Sequence, residues 1–273
     1  MKNIVTYIFV LSSLVAFSQD ENQIPELENK SYYLLFDNTN LRNQPGLKSD
    51  VVQLLKLGTE LKIDGKTTDT YTQNGITHYW YSVTVLDNTG KETPTKGYIW
   101  GGFLAEFMVE SKDDPGIKFV FGLAKVTKKD DFPTTFYQIR VYKDNMELAK
   151  HEFQGVGSTS TSRTIDIFGN KGVKNITNIL QITFSDGFCA GAFGDIFFFW
   201  DKAILHYVNT LYSGFDAPFF SEDKYTFPED EGGKPNVIIF SSESGEHVDE
   251  NKINYEKQEK KTMFWTGTEL KIK

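Results

Sequence analysis

Turn chemistry cuts this chain into pieces too short for helices. Asn40 to Gly46 with Pro45, Leu57-Gly58-Thr59, Gln73-Asn74-Gly75 and Asp87-Asn88-Thr89-Gly90 separate four β-branched or aromatic runs: Tyr32 to Phe36, Glu60 to Ile63, His78 to Val85 and Lys96 to Trp100. Short strands at tight spacing with Gly and Asn turns predict a small barrel. Gly58 supplies a positive φ at little steric cost. By strand period, Trp80 and Val83 alternate with Tyr81 and Thr84, which sets bulky side chains on both faces. A barrel of this size is filled by its own side chains, so a ligand has to sit on its surface.

Ser111 to Gly116, with Lys112-Asp113-Asp114-Pro115-Gly116, has the charge and breaker content of a linker and marks a domain boundary. Strand-like segments follow at Ile117 to Val126, Thr135 to Tyr142, Glu147 to Phe153, Arg163 to Phe168, Asn178 to Phe184, Asp195 to Trp200, Ile204 to Tyr207, Asn236 to Ser241 and Thr262 to Trp265. No segment carries a convincing helical stripe. Val248 to Lys261 comes nearest, but its apolar positions are only Val248, Ile253 and Tyr255, and it reads as a charged solvated loop. Phe199 to Leu205 can be laid on Phe264 to Leu270, with Trp and Leu at the same offset, each reading as strand, tight turn and strand. Two copies do not make an array, which needs three or more. The expected fold is all-β: a small barrel, then a larger antiparallel domain, a sandwich or open sheet placed ahead of a propeller.

The N-terminal stretch has Lys2 as its only charge, an apolar core from Ile4 to Ala16 and then Ala16-Phe17-Ser18, the order of a cleavable secretory signal. The apolar run is too short for a spanning helix, and no span is expected in the mature chain. The division is residues 1–18 signal peptide, 19–30 flexible lead-in, 31–110 barrel and 111–273 β-rich domain. Aromatics make up 15% of the 273 residues, enough to build real cores from large side chains. A formal charge of −8 gives no basic footprint for nucleic acid. Cys189 is the only cysteine, so no intrachain disulfide is possible, and between Phe188 and Ala190 it reads as a small buried hydrophobe.

Four landmarks fall in one order: Asn40-Leu41-Arg42-Asn43-Gln44-Pro45; Ser49-Asp50-Val51-Val52 with Leu57-Gly58-Thr59; Trp80-Tyr81-Ser82-Val83; and Gly97-Tyr98-Ile99-Trp100 with Phe103-Leu104. This pattern resembles the bacterial SH3 (SH3b) domain, departing from it mainly by a longer insertion between Ile63 and His78. The resemblance implies a peptide ligand, a cell-wall peptide among them, and an exported protein that is periplasmic, cell-surface or extracellular. Gly187 to Asp195, Phe227 to Pro235 and Gly245 to Glu250 resemble the C-terminal region of exported SH3b proteins of Bacteroidota-type bacteria, from which no activity carries over.

SH3b modules often accompany wall peptidases, so Cys189 with His206 or His247 is the sharpest catalytic candidate. It lacks the helix N-terminus that would lower a thiol pKa, and it departs from the Asp-Cys-Ser-Gly setting of those peptidases. The four histidines, His78, His151, His206 and His247, have no paired spacing, and the acidic stretches lack a calcium-loop pattern, so neither a metal nor a cofactor is expected. Gly101-Gly102 and Gly232-Gly233 read as turns. The residues able to line a shallow barrel groove are Tyr33, Asn40, Arg42, Trp80, Tyr98 and Trp100, each with a competing role in the core or in the first loop. The leading expectation is a non-enzymatic binding protein of the cell envelope, docking wall peptide or a protein partner. The rivals are a structural role, with the barrel packed on its neighbour and no external ligand, and a wall hydrolase with an unrecognised site. An exposed apolar patch around Trp80 and Trp100 favours binding; its burial by the second domain favours the structural role.

Overall fold

The computed structural model describes residues 26–28, 30–87, 89–129, 132–185, 191–249 and 252–273. The signal peptide read over residues 1–18 and the thiol of Cys189 lie outside the described residues. Apart from a 3-10 turn at Gly101–Phe103, the regular structure is antiparallel strand, as the alternation and turn chemistry predict.

The first unit contains β1 (Ser31–Leu34), β2 (Thr39–Arg42), β3 (Val51–Leu55), β4 (Glu60–Gln73), β5 (Ile76–Leu86), β6 (Glu92–Trp100) and β7 (Leu104–Ala105). Their order is β3-β2-β6-β5-β4-β1-β7, and no ladder joins β3 to β7. The strands still surround one core, to which Leu55 of β3 and Leu104 of β7 both contribute beside Leu34, Leu41, Leu61, Tyr81 and Ile99. The segment from Asn40 read as turn begins instead as strand: Thr39–Arg42 is β2, and the turn falls after it. Alternation decides this, with Thr39 and Leu41 inside and Asn40 and Arg42 toward the surface. The described end of the lead-in is tied to the unit, where the Leu27 N–H donates to the Tyr81 hydroxyl at 3.1 Å and Lys66 pairs with Glu26.

The insertion between Ile63 and His78 is a long arm made by β4 and β5. Asn74 and Gly75 turn it with φ of 54° and 75°, the two positive angles of a type I′ hairpin. Its tip reaches the next unit: the Val126 N–H donates to the Asn74 carbonyl at 2.9 Å. A β-carbon on Gly75 would overlap the Val126 carbonyl oxygen.

A second sheet follows, with β8 (Phe107–Glu110), β9 (Lys118–Lys129), β10 (Phe132–Lys143) and β11 (Met146–Gln154) in the order β11-β10-β9-β8. The third sheet runs in sequence order through β12 (Ser162–Phe168), β13 (Asn178–Ser185), β14 (Gly191–Trp200), β15 (Leu205–Asp216), β16 (Phe219–Thr226), β17 (Ile238–Asp249), β18 (Lys252–Trp265) and β19 (Leu270–Ile272). Phe119, Phe121 and Tyr137 of the second sheet meet Phe184, Phe198 and Trp200 of the third, which makes this part a sandwich. The opposite face of β9 and β10 turns to the first unit, where Val120 and Tyr142 pack on Leu35, Leu57 and Ala105. The second sheet is therefore the middle layer.

Within Val248 to Lys261, expected as a loop, the described residues are strand: they form the end of β17, to Asp249, and most of β18, from Lys252. Backbone pairing holds it, from Ile238 opposite Met263 to Asp249 opposite Lys252. Most of β18 faces water, with Lys257 and Lys261 pairing Glu259 at 3.4 and 2.6 Å, so it has no buried stripe to betray it. The repeated Trp-to-Leu segments are one hairpin used twice. Trp200 lies opposite Leu205 and Trp265 opposite Leu270. In each turn one side chain accepts two backbone N–H bonds, Asp201 from Ala203 and Ile204, and Thr266 from Thr268 and Glu269.

Candidate functional site

The six residues read as a ligand surface fall in three places. Trp80 and Trp100 are each only 2% exposed and join Phe119, Phe121 and Phe198 in the core shared with the second and third sheets. The Trp100 indole N–H donates to the carbonyls of Tyr71 and His78 at 2.9 and 3.1 Å, so its polar edge is also used inside the protein. Tyr98 is half-buried against the same core. Tyr33 lines a cleft between the first unit and the second sheet.

Asn40 and Arg42 alone share an open groove, of about 290 Å³. Strand β2 puts both side chains on its outer face. Phe36, Leu47 and Phe103 form apolar walls, and Gln73, from the end of the inserted arm, adds an amide. Arg42 spends one N–H on the Ser49 carbonyl at 2.6 Å, which pins the turn after β2. Its other guanidinium donors and the Asn40 amide have no protein partner among the described residues. The groove thus offers the Arg42 donors, beside the Asp37 carboxylate, and the amides of Asn38, Asn40 and Gln73 between aromatic and aliphatic walls. That is the chemistry for the carbonyls, amides or carboxylate of an extended peptide. Sequence reading found Asn40 and Arg42 through their motif. It missed Gln73, which read only as part of a turn, Phe36, which read only as part of a strand, and Phe103, which entered only as part of the family pattern.

The histidines weighed as catalytic partners are engaged elsewhere. His206 meets the Asp201 carboxylate at 2.7 Å and lies edge-on to Trp265, while His247 packs on Phe220 with ring centres 5.0 Å apart. Burial lowers the His78 pKa to about 4; its Nδ1 accepts the Tyr79 N–H at 2.9 Å, leaving Nε2 without a partner. Among the described residues no group of three or more His, Cys, Asp or Glu side chains is placed to hold a metal ion, and no helix is long and apolar enough to cross a membrane.

The landmarks from Asp37 to Ala105 match a known family: residues 37–105 match the family model of the bacterial SH3 domain, about a quarter of the chain. No curated protein and no solved structure matches the chain. The groove of Asn40 and Arg42 lies within the matched segment, and Trp80 and Trp100 lie within it too, buried in a cluster that continues through the second sheet into the third.

Proposed function

We propose that this is an exported, non-enzymatic binding protein of the cell envelope, whose bacterial SH3 domain holds an extended peptide, from the cell wall or a protein partner, in the groove of Asn40 and Arg42. The observation that carries the reading is that groove: within the matched domain it pairs unspent polar groups with apolar walls. The β-rich remainder serves as a rigid mount, since it shares a core with the domain.

The test is co-sedimentation of the full chain with purified sacculi. Retention of the wild type and its loss in Asn40→Ala supports the wall-peptide reading. No retention of the wild type, or equal retention of both proteins, sinks it. A second reading, that the domain is purely structural and has no external ligand, is favoured by the burial of Trp80 and Trp100 in a core continuous with the other two sheets. It predicts no retention and no peptide-dependent shift of Asn40 or Gln73 amide signals.

A further inference from the structure

We propose that the cleft between the bacterial SH3 domain and the second sheet binds a primary ammonium group carried on an extended chain, such as a lysine-type side chain. This site shares no lining residue with the Asn40 and Arg42 groove, so it stands or falls independently of the reading above.

The cleft has a volume of about 330 Å³. Glu60 and Asp87 line it from the first unit, and Glu110 and Asp144 from the second sheet, against a single ammonium, Lys118. None of these carboxylates forms an ion pair among the described residues. Acidic lining alone identifies nothing. The specific mark is Tyr142, which lines the same cleft, is 3% exposed and has a hydroxyl with no hydrogen-bond partner. A buried hydroxyl without a partner is uncommon in folded proteins and calls for an explanation.

The surroundings of that hydroxyl specify what would satisfy it. Burial first, then the nearby Tyr33, Glu110 and Glu60, hold the phenol in its protonated, neutral form. The hydroxyl oxygen can therefore accept an N–H while the carboxylates neutralise the charge. An ammonium carries three donors and one positive charge, which fits both needs. A divalent ion fits less well, because the carboxylates are spread round the cleft and do not converge as a metal-holding cluster among the described residues. The Tyr33 ring and Leu86 add apolar surface along which a methylene stem can lie.

The test is calorimetric titration of the full chain with Nα-acetylated trilysine, the same peptide with every Nε also acetylated, and calcium chloride alone. Saturable binding of the Nα-acetylated trilysine, none of the Nε-acetylated peptide, and an affinity weakened about tenfold by Glu60→Gln and by Tyr142→Phe are expected. Tyr142→Phe keeps the ring and removes only the unpaired hydroxyl, so the fold is retained and circular dichroism checks that it is. Absence of trilysine binding in the millimolar range, an unchanged affinity in both variants, or calcium binding that trilysine does not displace would each overturn the proposal.

Discussion

The phenol end of Tyr142 seats on the bare backbone of Gly58, so closely that a β-carbon there would lie 2.5 Å from the hydroxyl oxygen. Gly58 also holds a φ of 73° in the turn before Thr59. One glycine thus meets two demands, a left-handed turn inside the bacterial SH3 domain and a close approach by the sheet beside it. Its second duty lies outside the family pattern.

Gly58→Ala should destabilise the protein by on the order of 2–4 kcal/mol, combining the left-handed backbone cost with overpacking against the ring. Urea denaturation measures it. In a Tyr142→Leu background the overlap is relieved and only the backbone part should persist, so the two substitutions should be strongly non-additive. Simple additivity would mean that the seat carries no energy.

Trp80 and Trp100 lie in a core built from all three sheets. Trp80→Ala should cost about 3–5 kcal/mol. It should lower a single unfolding transition, coincident by far-ultraviolet dichroism and tryptophan fluorescence. Two separate transitions, with only the first moved by the substitution, would show that the bacterial SH3 domain unfolds on its own.

Arg163 of β12 pairs with Glu106, the residue after β7, at 2.6 Å, and lies over the Tyr137 ring. The side chains are only 10% and 23% exposed, and burial pushes the Glu106 carboxyl up against the pull of Arg163. Arg163→Met should therefore cost about 3 kcal/mol by leaving a buried carboxylate unpaired. The double variant Glu106→Leu with Arg163→Met should recover much of that loss in thermal or chemical denaturation.

His78 sets a pH dependence. Its folded pKa of about 4 lies below the ordinary value of 6.5, so the fold favours the neutral ring. That contribution is complete above about pH 6.5 and is lost as the pH falls toward 4. The difference amounts to roughly 3 kcal/mol. Stability measured across this window should fall less steeply in His78→Gln than in the wild type; parallel slopes would place the titration elsewhere.

The strands of the sandwich were legible in two ways: by alternation along much of β13, and along β14 by a continuous aromatic run, Phe197 to Trp200, that is buried on both faces. Legibility failed along β18 before Thr262, where most residues meet water and backbone pairing holds the strand. It failed for a different reason at the site. Asn40 and Arg42 could be found from their motif, but sequence could not separate them from Trp80 and Trp100, since what divides them is a second sheet packed on one side of the domain. The signal for that packing was present as the insertion after Ile63, which looked like a departure from the pattern and is the arm whose Asn74 tip meets Val126.

That arm changes where the segment can be cut. The family boundaries at residues 37 and 105 leave out β1, which supplies Tyr32 and Leu34 to the domain's own core. Excised there, the segment would lose a strand and part the Trp80 and Trp100 cluster from the second and third sheets. The smallest piece expected to fold is therefore longer than the matched segment, because β1 and the partner of the arm's tip both lie beyond its limits.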